Sequence, residues 1–352
     1  MNVVLTICSA NYLAHAKTLG DSVLDHNPEV HFVIGLVDVL SAKIDLNGFE
    51  RFELIEVSSV LPEMIFQDFV GKYSVVEVNT AVKPFLMAYL YERDDSVRTV
   101  SYFDPDIKVY CSLSSLFLRV DKKGIIVTPH SCTYDNSADN IRGEKSMLAV
   151  GIYNLGFIAT SRSTETLEFL RWWMLRLKDH CSYRPEVPGT FFDQNWVMLA
   201  GLYFEHFFIE KNLGYNLAWW NLFERRVSLH NNAYFINKEY PLLFAHFSGY
   251  KPEYPDNILS RSKYTIDFTN CAEVKPLFED YRSDLIKNKY DLFSSLKWAY
   301  AREEVKTGRG RLILAGLKQL VLHLLGKIPA RIRKRIIGLF QQSLNNTILN
   351  DA

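Results

Sequence analysis

The chain has 352 residues, 48% of them apolar and 23% charged, with 40 Lys and Arg against 40 Asp and Glu. That apolar share excludes a disordered chain, and zero net charge excludes a chain-wide nucleic-acid binder, which carries a large basic excess. Cys8, Cys111, Cys132, Cys181 and Cys271 are scattered with no Cys-x-x-Cys pair, which argues against a disulfide framework or a zinc ribbon and fits a reducing compartment.

Taken in chain order, Val3–Ile7 is a β-branched run that predicts a buried strand. Ser9-Ala10-Asn11-Tyr12 follows, then apolar periodicity that predicts a helix over Leu13–Asp25. His31–Val39 and Phe52–Val57 read as further strands, Lys83–Tyr91 as a helix and Val97–Phe103 as a strand closing in Asp104-Pro105-Asp106. Gly124–Thr128 and Tyr153–Thr160 read as strands, Ser163–Leu177 as a helix, and a helix starts near Asp193. Short strands are expected around Phe207 and over Leu242–Phe247. Strands alternating with helices predict an α/β fold with a mostly parallel sheet, whose ligands sit beyond the carboxyl ends of strands. The loops Ser9–Tyr12 and Asp104–Asp106 are therefore the places to look.

Asp104 and Asp106 are two residues apart, so on extended backbone both carboxylates project to one side, suited to share a hard divalent cation. A turn whose aspartates accept from backbone N–H groups is an equal alternative. His246 closes the apolar run Leu242–Ala245. A histidine there is more often a hydrogen-bonded core residue; as a third ligand it would favour Mn²⁺ over Mg²⁺. Asp193-Gln194 reads either as a helix N-cap or as a polar pair lining a pocket. Asn154 sits in an otherwise apolar strand and must find partners. Gly214-Tyr215-Asn216 and Trp219-Trp220-Asn221 read as a second wall or as core. Glycine-rich phosphate loops, His-Glu-x-x-His and Gly-x-Ser-x-Gly are absent from the sequence, which counts against Rossmann dehydrogenases, P-loop NTPases, zincins and α/β-hydrolases.

In this order the segments resemble bacterial glycosyltransferases of the GT-A fold, family 8 and its relatives. The matching pieces are Asn11-Tyr12 ahead of a helix, Asp104-Pro105-Asp106 after a strand, Tyr153-Asn154-Leu155-Gly156-Phe157, Asp193-Gln194, and His246-Phe-Ser-Gly249-Tyr-Lys251-Pro252. Thr80-Ala-Val-Lys83-Pro84 looks like the family's basic position ahead of the metal strand. Three departures stand out: one residue fewer between Gly249 and Lys251, Ser9 and Ala10 where an acid often precedes Asn-Tyr, and Glu253 where many members have Trp. The resemblance implies transfer of a hexose from a nucleotide diphosphate sugar, a UDP-sugar first, to a hydroxyl of a glycan or lipid-linked acceptor, with retention. It implies Asp104, Asp106 and His246 as ligands of Mn²⁺ (or Mg²⁺), and Asp193 and Gln194 at the reaction centre. Asn11, Tyr12, Lys83, Asp104, Asn154, Gly156, Gly249 and Lys251 would face the donor. The alternatives are an inverting enzyme with Asp193 as general base, or a non-catalytic sugar-nucleotide or glycan binder on the same scaffold.

The expected organisation is a glycosyltransferase domain over residues 1–305, with a nucleotide-sugar half to about 125, an acceptor half to about 260 and a helical extension, followed by a tail over 306–352. From Lys306 on there are nine bases against one acid, so the tail carries +8 and the remainder −8. Leu312–Leu325 is strongly apolar but too short to span a bilayer, and Arg331–Arg335 adds four bases. An apolar face beside a basic one suits a helix lying on an anionic membrane surface. The expectation is a cytoplasmic protein held peripherally on the inner face of the cell membrane, with no nucleic-acid partner; docking of the apolar stretch on the acidic body is the alternative.

Overall fold

Val3, Val4, Leu5 and Ile7 are at most 1% exposed, as expected of a strand covered on both faces. They belong to β1 (Asn2–Cys8), and the computed structural model, which describes residues 1–40, 44–134, 136–184, 187, 189–261 and 264–301, builds a seven-stranded sheet around it. The other strands in chain order are β2 (His31–Leu36), β3 (Glu53–Glu56), β4 (Thr99–Phe103), β5 (Ile107–Val109), β6 (Ile125–Pro129), β7 (Tyr153–Ser161), β8 (Phe207–Ile209), β9 (Val227–His230), β10 (Ala233–Ile236), β11 (Tyr240–Pro241), β12 (Phe244–His246), β13 (Asn257–Arg261) and β14 (Tyr264–Asp267), the last two pairing antiparallel with each other. The main sheet runs β3-β2-β1-β4-β7-β6-β8. Its first four strands are parallel, and β7 lies antiparallel between β4 and β6, so the sheet is mixed but mostly parallel. A three-stranded sheet β11-β10-β9 and the pair β12-β5 stand apart from it.

Helices cover both faces: α1 (Leu13–His26), α2 (Glu63–Lys72), α3 (Val75–Ala81), α4 (Lys83–Arg93), α5 (Ser114–Lys123), α6 (Ala138–Val150), α7 (Thr164–His180), α8 (Gln194–Val197), α9 (Ala200–Tyr203), α10 (Lys275–Lys287) and α11 (Tyr290–Ser294). Strand alternation sorts the core into two layers. Val4, Phe32, Ile34, Phe103, Phe157 and Ala159 pack with Leu19 and Val23 of α1 and Leu277 and Tyr281 of α10. Val3, Leu5, Val33, Val100, Tyr102 and Ile158 pack with Leu86 and Leu90 of α4 and Phe169 and Trp173 of α7.

Three expectations shift. The second strand stops at Leu36, not Val39, because Asp38 folds back to accept from the Val39 and Ala10 N–H groups. Helix α6 carries no buried side chain, so it left no apolar period to read. β5 is a short strand after Asp106 that pairs antiparallel with β12, setting His246 opposite Ile107. Met1–Ala301 forms one compact unit. The basic segment from 306 on lies outside the described residues. Among the described residues, no helix is long and apolar enough to cross a membrane.

Candidate active site

β4 ends at Phe103, and the Asp104 N–H then donates to the Gly156 carbonyl of β7 at 2.7 Å. The loop turns at once, since Ile107 N–H returns to the Asp104 carbonyl at 3.1 Å, and both carboxylates remain partly open. The β5–β12 pairing delivers the imidazole: His246 Nε2 lies 3.0 Å from Asp106 Oδ1 and 3.8 Å from Asp104 Oδ2. Donor atoms of these three residues fall within 4.8 Å of one another. Two carboxylate oxygens and one imidazole nitrogen form a donor set that fits a divalent cation. Gly156 makes room for it, because a Cβ there would sit 2.4 Å from His246 Cε1.

The charges are mutually dependent. Burial pushes the His246 pKa down, but Asp106 and then Asp104 outweigh it and raise it. Burial pushes Asp106 up, yet the His246 imidazole holds it below the usual carboxylate range. Tyr102 donates its hydroxyl to Asp104 Oδ1 at 2.6 Å.

Lys83 opens α4 and is 4% exposed. Its ammonium donates to the Leu155 carbonyl at 3.0 Å and to Asp193 Oδ2 at 3.2 Å, and lies 3.6 Å from Asp104 Oδ1. Burial alone would lower its pKa; the two carboxylates raise it instead. Asp193 is 2% exposed, and burial lifts its carboxyl in spite of Lys83. It stands at the N-terminus of α8, but its side chain caps no helix N–H. The N-cap alternative is therefore set aside: this carboxylate serves Lys83. The residue before it, Phe192, holds φ at +50°, a left-handed conformation that costs about 1 kcal/mol or more for a bulky side chain.

Gln194 lies under α6. Its Nε2 donates to the Val150 carbonyl at 2.9 Å, and its Oε1 accepts from Leu155 N–H at 3.2 Å and from Asn154 Nδ2 at 3.4 Å. Gly151, at φ +108°, ends α6 where a Cβ would meet Gln194 Cβ at 2.7 Å. Asn154 Oδ1 accepts from Asn216 Nδ2 at 3.1 Å and lies 3.2 Å from His246 Nδ1. Trp220 meets the His246 ring edge-on at 5.3 Å.

Of the other residues singled out from the sequence, Tyr12 is 41% exposed and stacks on His15 at 4.5 Å. Asn11 Oδ1 accepts from the Ser9 hydroxyl at 2.6 Å. Gly249 holds φ at +74°, and Lys251 is exposed. Thus Asp104, Asp106, His246, Lys83, Asp193, Gln194 and Asn154 are linked by one chain of contacts. Lys83 and Asn154 are turned into the protein, not outward.

Sequence reasoning missed three participants, Thr128, Tyr102 and Asp38, and read Asn216 only as wall or core. Thr128, Asn216 and Tyr102 support the others. Asp38, 3% exposed, accepts from Ala10 N–H at 3.1 Å and from Ala299 N–H at 3.0 Å. It bonds the loop in which no acid precedes Asn11. The signal that was available was an aspartate ending a buried strand beside that loop.

No family model matches the chain. Two proteins of Bacillus subtilis (strain 168), Uncharacterized protein YfnF and Uncharacterized protein YfnD, are each 22% identical to it, over 204 and 170 residues. These alignments cover 58% and 48% of this chain, and span only 61% and 52% of those relatives. Among solved structures, it is similar to the galactosyltransferase LgtC in complex with donor and acceptor sugar analogs (TM-score 0.45, 17% identity, 80% of this chain and 95% of that one). It is also similar to the glycosyltransferase GlyE of Streptococcus pneumoniae TIGR4 (TM-score 0.47, 13% identity, 84% and 65%).

Proposed function

We propose that the chain is a metal-dependent, retaining glycosyltransferase of the GT-A type. It would move a hexose from a nucleotide diphosphate sugar, a UDP-sugar first, to a hydroxyl of a glycan or lipid-linked acceptor. The observation that carries this reading is the cluster of Asp104, Asp106 and His246 at the end of β4, joined through buried Lys83 to Asp193. Ligands of such sheets gather beyond the carboxyl ends of strands. Asp104, Asp106 and His246 would hold Mn²⁺ or Mg²⁺, which when bound supplies Lewis-acid stabilisation of a diphosphate leaving group.

The chain's own residues divide the remaining work. Asn11 and the exposed Tyr12 border the donor on the β1 side. Lys251 is exposed and available to phosphate, with Gly249 allowing close approach. Lys83 lies between Asp104 and Asp193 and holds both carboxylates in place, so its role is positioning. Asp193 and Gln194 lie at the reacting carbon, and Gly156 leaves the space that His246 fills.

A panel of nucleotide sugars with Mn²⁺ tests this, read as hydrolysis and as protection from thermal unfolding. A donor at a hundred times its Kd adds about 2.7 kcal/mol to native stability. Asp104→Asn should lose both signals while still melting cooperatively without ligand, at a lower temperature than wild type because Lys83 loses one of its carboxylates. If no nucleotide sugar protects or is hydrolysed, or if Asp104→Asn behaves as wild type, the reading fails.

The tail completes the proposal. Arg331–Arg335 and the apolar Leu312–Leu325 would hold the enzyme on an anionic inner leaflet, each base contributing roughly 1 kcal/mol near the surface. Full-length protein should then sediment with phosphatidylserine vesicles at low salt and be released at high salt. Binding that ignores vesicle charge would sink the idea.

A further inference from the structure

We propose that a chain of amides of fixed polarity, Gln194–Asn154–His246, decides which ring nitrogen of His246 is offered to a metal, and that Asn216 locks that chain. This rests on the metal reading above. The argument starts at the backbone. Gln194 Nε2 donates to the Val150 carbonyl and Gln194 Oε1 accepts from the Leu155 N–H. A carbonyl can only accept and an N–H only donate, so this amide cannot be turned over. Asn154 meets Gln194 Oε1 and must present its Nδ2 there, at 3.4 Å.

Asn154 Oδ1 then points the other way, between Asn216 Nδ2 at 3.1 Å and His246 Nδ1 at 3.2 Å. An amide oxygen only accepts, so the proton of His246 belongs on Nδ1. The nitrogen left to ligate is Nε2, the one facing Asp106 at 3.0 Å and Asp104 at 3.8 Å. The polarity of two backbone groups on either side of β7's start is thus passed through two side chains to the third ligand.

Asn216 keeps the relay from slipping. It is fully buried, and it holds φ at +57°, a conformation asparagine tolerates better than most residues. Its two amide protons are both assigned: one to Asn154 Oδ1, the other to Thr128 Oγ1 at 3.0 Å. Turning Asn154 over would set an NH₂ group against that of Asn216 and an oxygen against Gln194 Oε1. Outer partners of this kind orient the imidazole and raise its basicity, and their loss lowers metal affinity about 10–100-fold.

The test is calorimetric titration of the full chain with Mn²⁺ alone, in parallel with its unfolding curve. Asn154→Ala and Asn216→Ala should each weaken Mn²⁺ binding about 10–100-fold. Asn154→Asp keeps an acceptor facing Nδ1 but sets an oxygen against Gln194 Oε1, so it should bind Mn²⁺ more tightly than Asn154→Ala even though its unfolding curve shifts down, a rescue that a merely structural role would not give. A second measurement needs no variant. In protein labelled with ¹⁵N-histidine and bound to Zn²⁺, His246 Nδ1 should retain its directly bonded proton. Wild-type protein that takes up no Mn²⁺ overturns the metal reading and this one with it. If wild type binds and Asp104→Asn does not, yet Asn154→Ala matches wild type or His246 ligates through Nδ1, the relay alone is wrong.

Discussion

Asp104 and Asp106 stand two residues apart on one loop, whereas the three amides and one hydroxyl behind His246 come from four segments: Thr128 on β6, Asn154 on β7, Asn216 beyond β8 and Gln194 on α8. The first arrangement is assembled by local backbone geometry and held by charge. The second is assembled by sheet topology and held by the direction of donors and acceptors. The charged side keeps two carboxylates beside a buried ammonium, so removing one partner leaves an unpaired ion. The amide side contains no ions, so its loss costs less, about 1–3 kcal/mol for each polar group left unpaired, and changes what His246 presents.

The largest test of this contrast is Lys83→Met. Breaking a buried pair from one side costs about 3–5 kcal/mol, read by urea unfolding, and Lys83→Met with Asp193→Asn should recover much of it. Equal destabilisation in the single and double variants would mean that the ion pair is not what holds this side. Next is Gly156→Ala, where the two sides touch. Overpacking against His246 should cost about 3 kcal/mol and displace the imidazole, seen as weaker Mn²⁺ binding; unchanged affinity would show that the ring has room to move.

A third test uses pH. Burial drives His15 down to about 4, with Asp106 and Glu253 opposing. Its folded pKa lies below the unfolded value of about 6.5, so the unfolded chain binds more protons between these values and stability falls as pH drops through that window. At pH 5 the loss is about 2 kcal/mol relative to pH 7, and His15→Leu should remove that share of the decline. A variant that declines as steeply as wild type would place the acid sensitivity elsewhere. The smallest effect is expected from Thr128→Val, which keeps shape but leaves one Asn216 proton unpaired at about 1 kcal/mol. A near-silent Mn²⁺ titration should accompany it, because Asn216 still donates to Asn154.

What could be read from the sequence followed the same division. The strands around Val3, Val100 and Ile158 and the helix after Tyr12 were legible because continuous apolar runs and 3.6-residue periods are local signals. Asp104 and Asp106 were legible for the same reason. Lys83 was expected to face the donor, since its partner Asp193 lies 110 residues away and no local pattern joins them. Asn154 was marked as needing partners, but which ones depended on β7 running antiparallel between β4 and β6, a topological fact. Asn216 drew notice only as part of an aromatic wall; a left-handed asparagine has no periodicity to announce it. Helix α6 stayed hidden because all of its turns keep contact with water.

The pairing of β5 with β12 joins Ile107 to His246 through three register pairs, and this sets a timetable for the nascent chain. The carboxylates emerge early in synthesis, while the imidazole follows about 140 residues later, some 7–28 s at ordinary rates of elongation. Until then β5 has no antiparallel neighbour, and Asp104 and Asp106 have no imidazole beside them. A ribosome-bound polypeptide truncated before β12 therefore carries the sheet's parallel half but not the cluster of Asp104, Asp106 and His246. The cluster closes in one step, late, with a contact of high sequence separation.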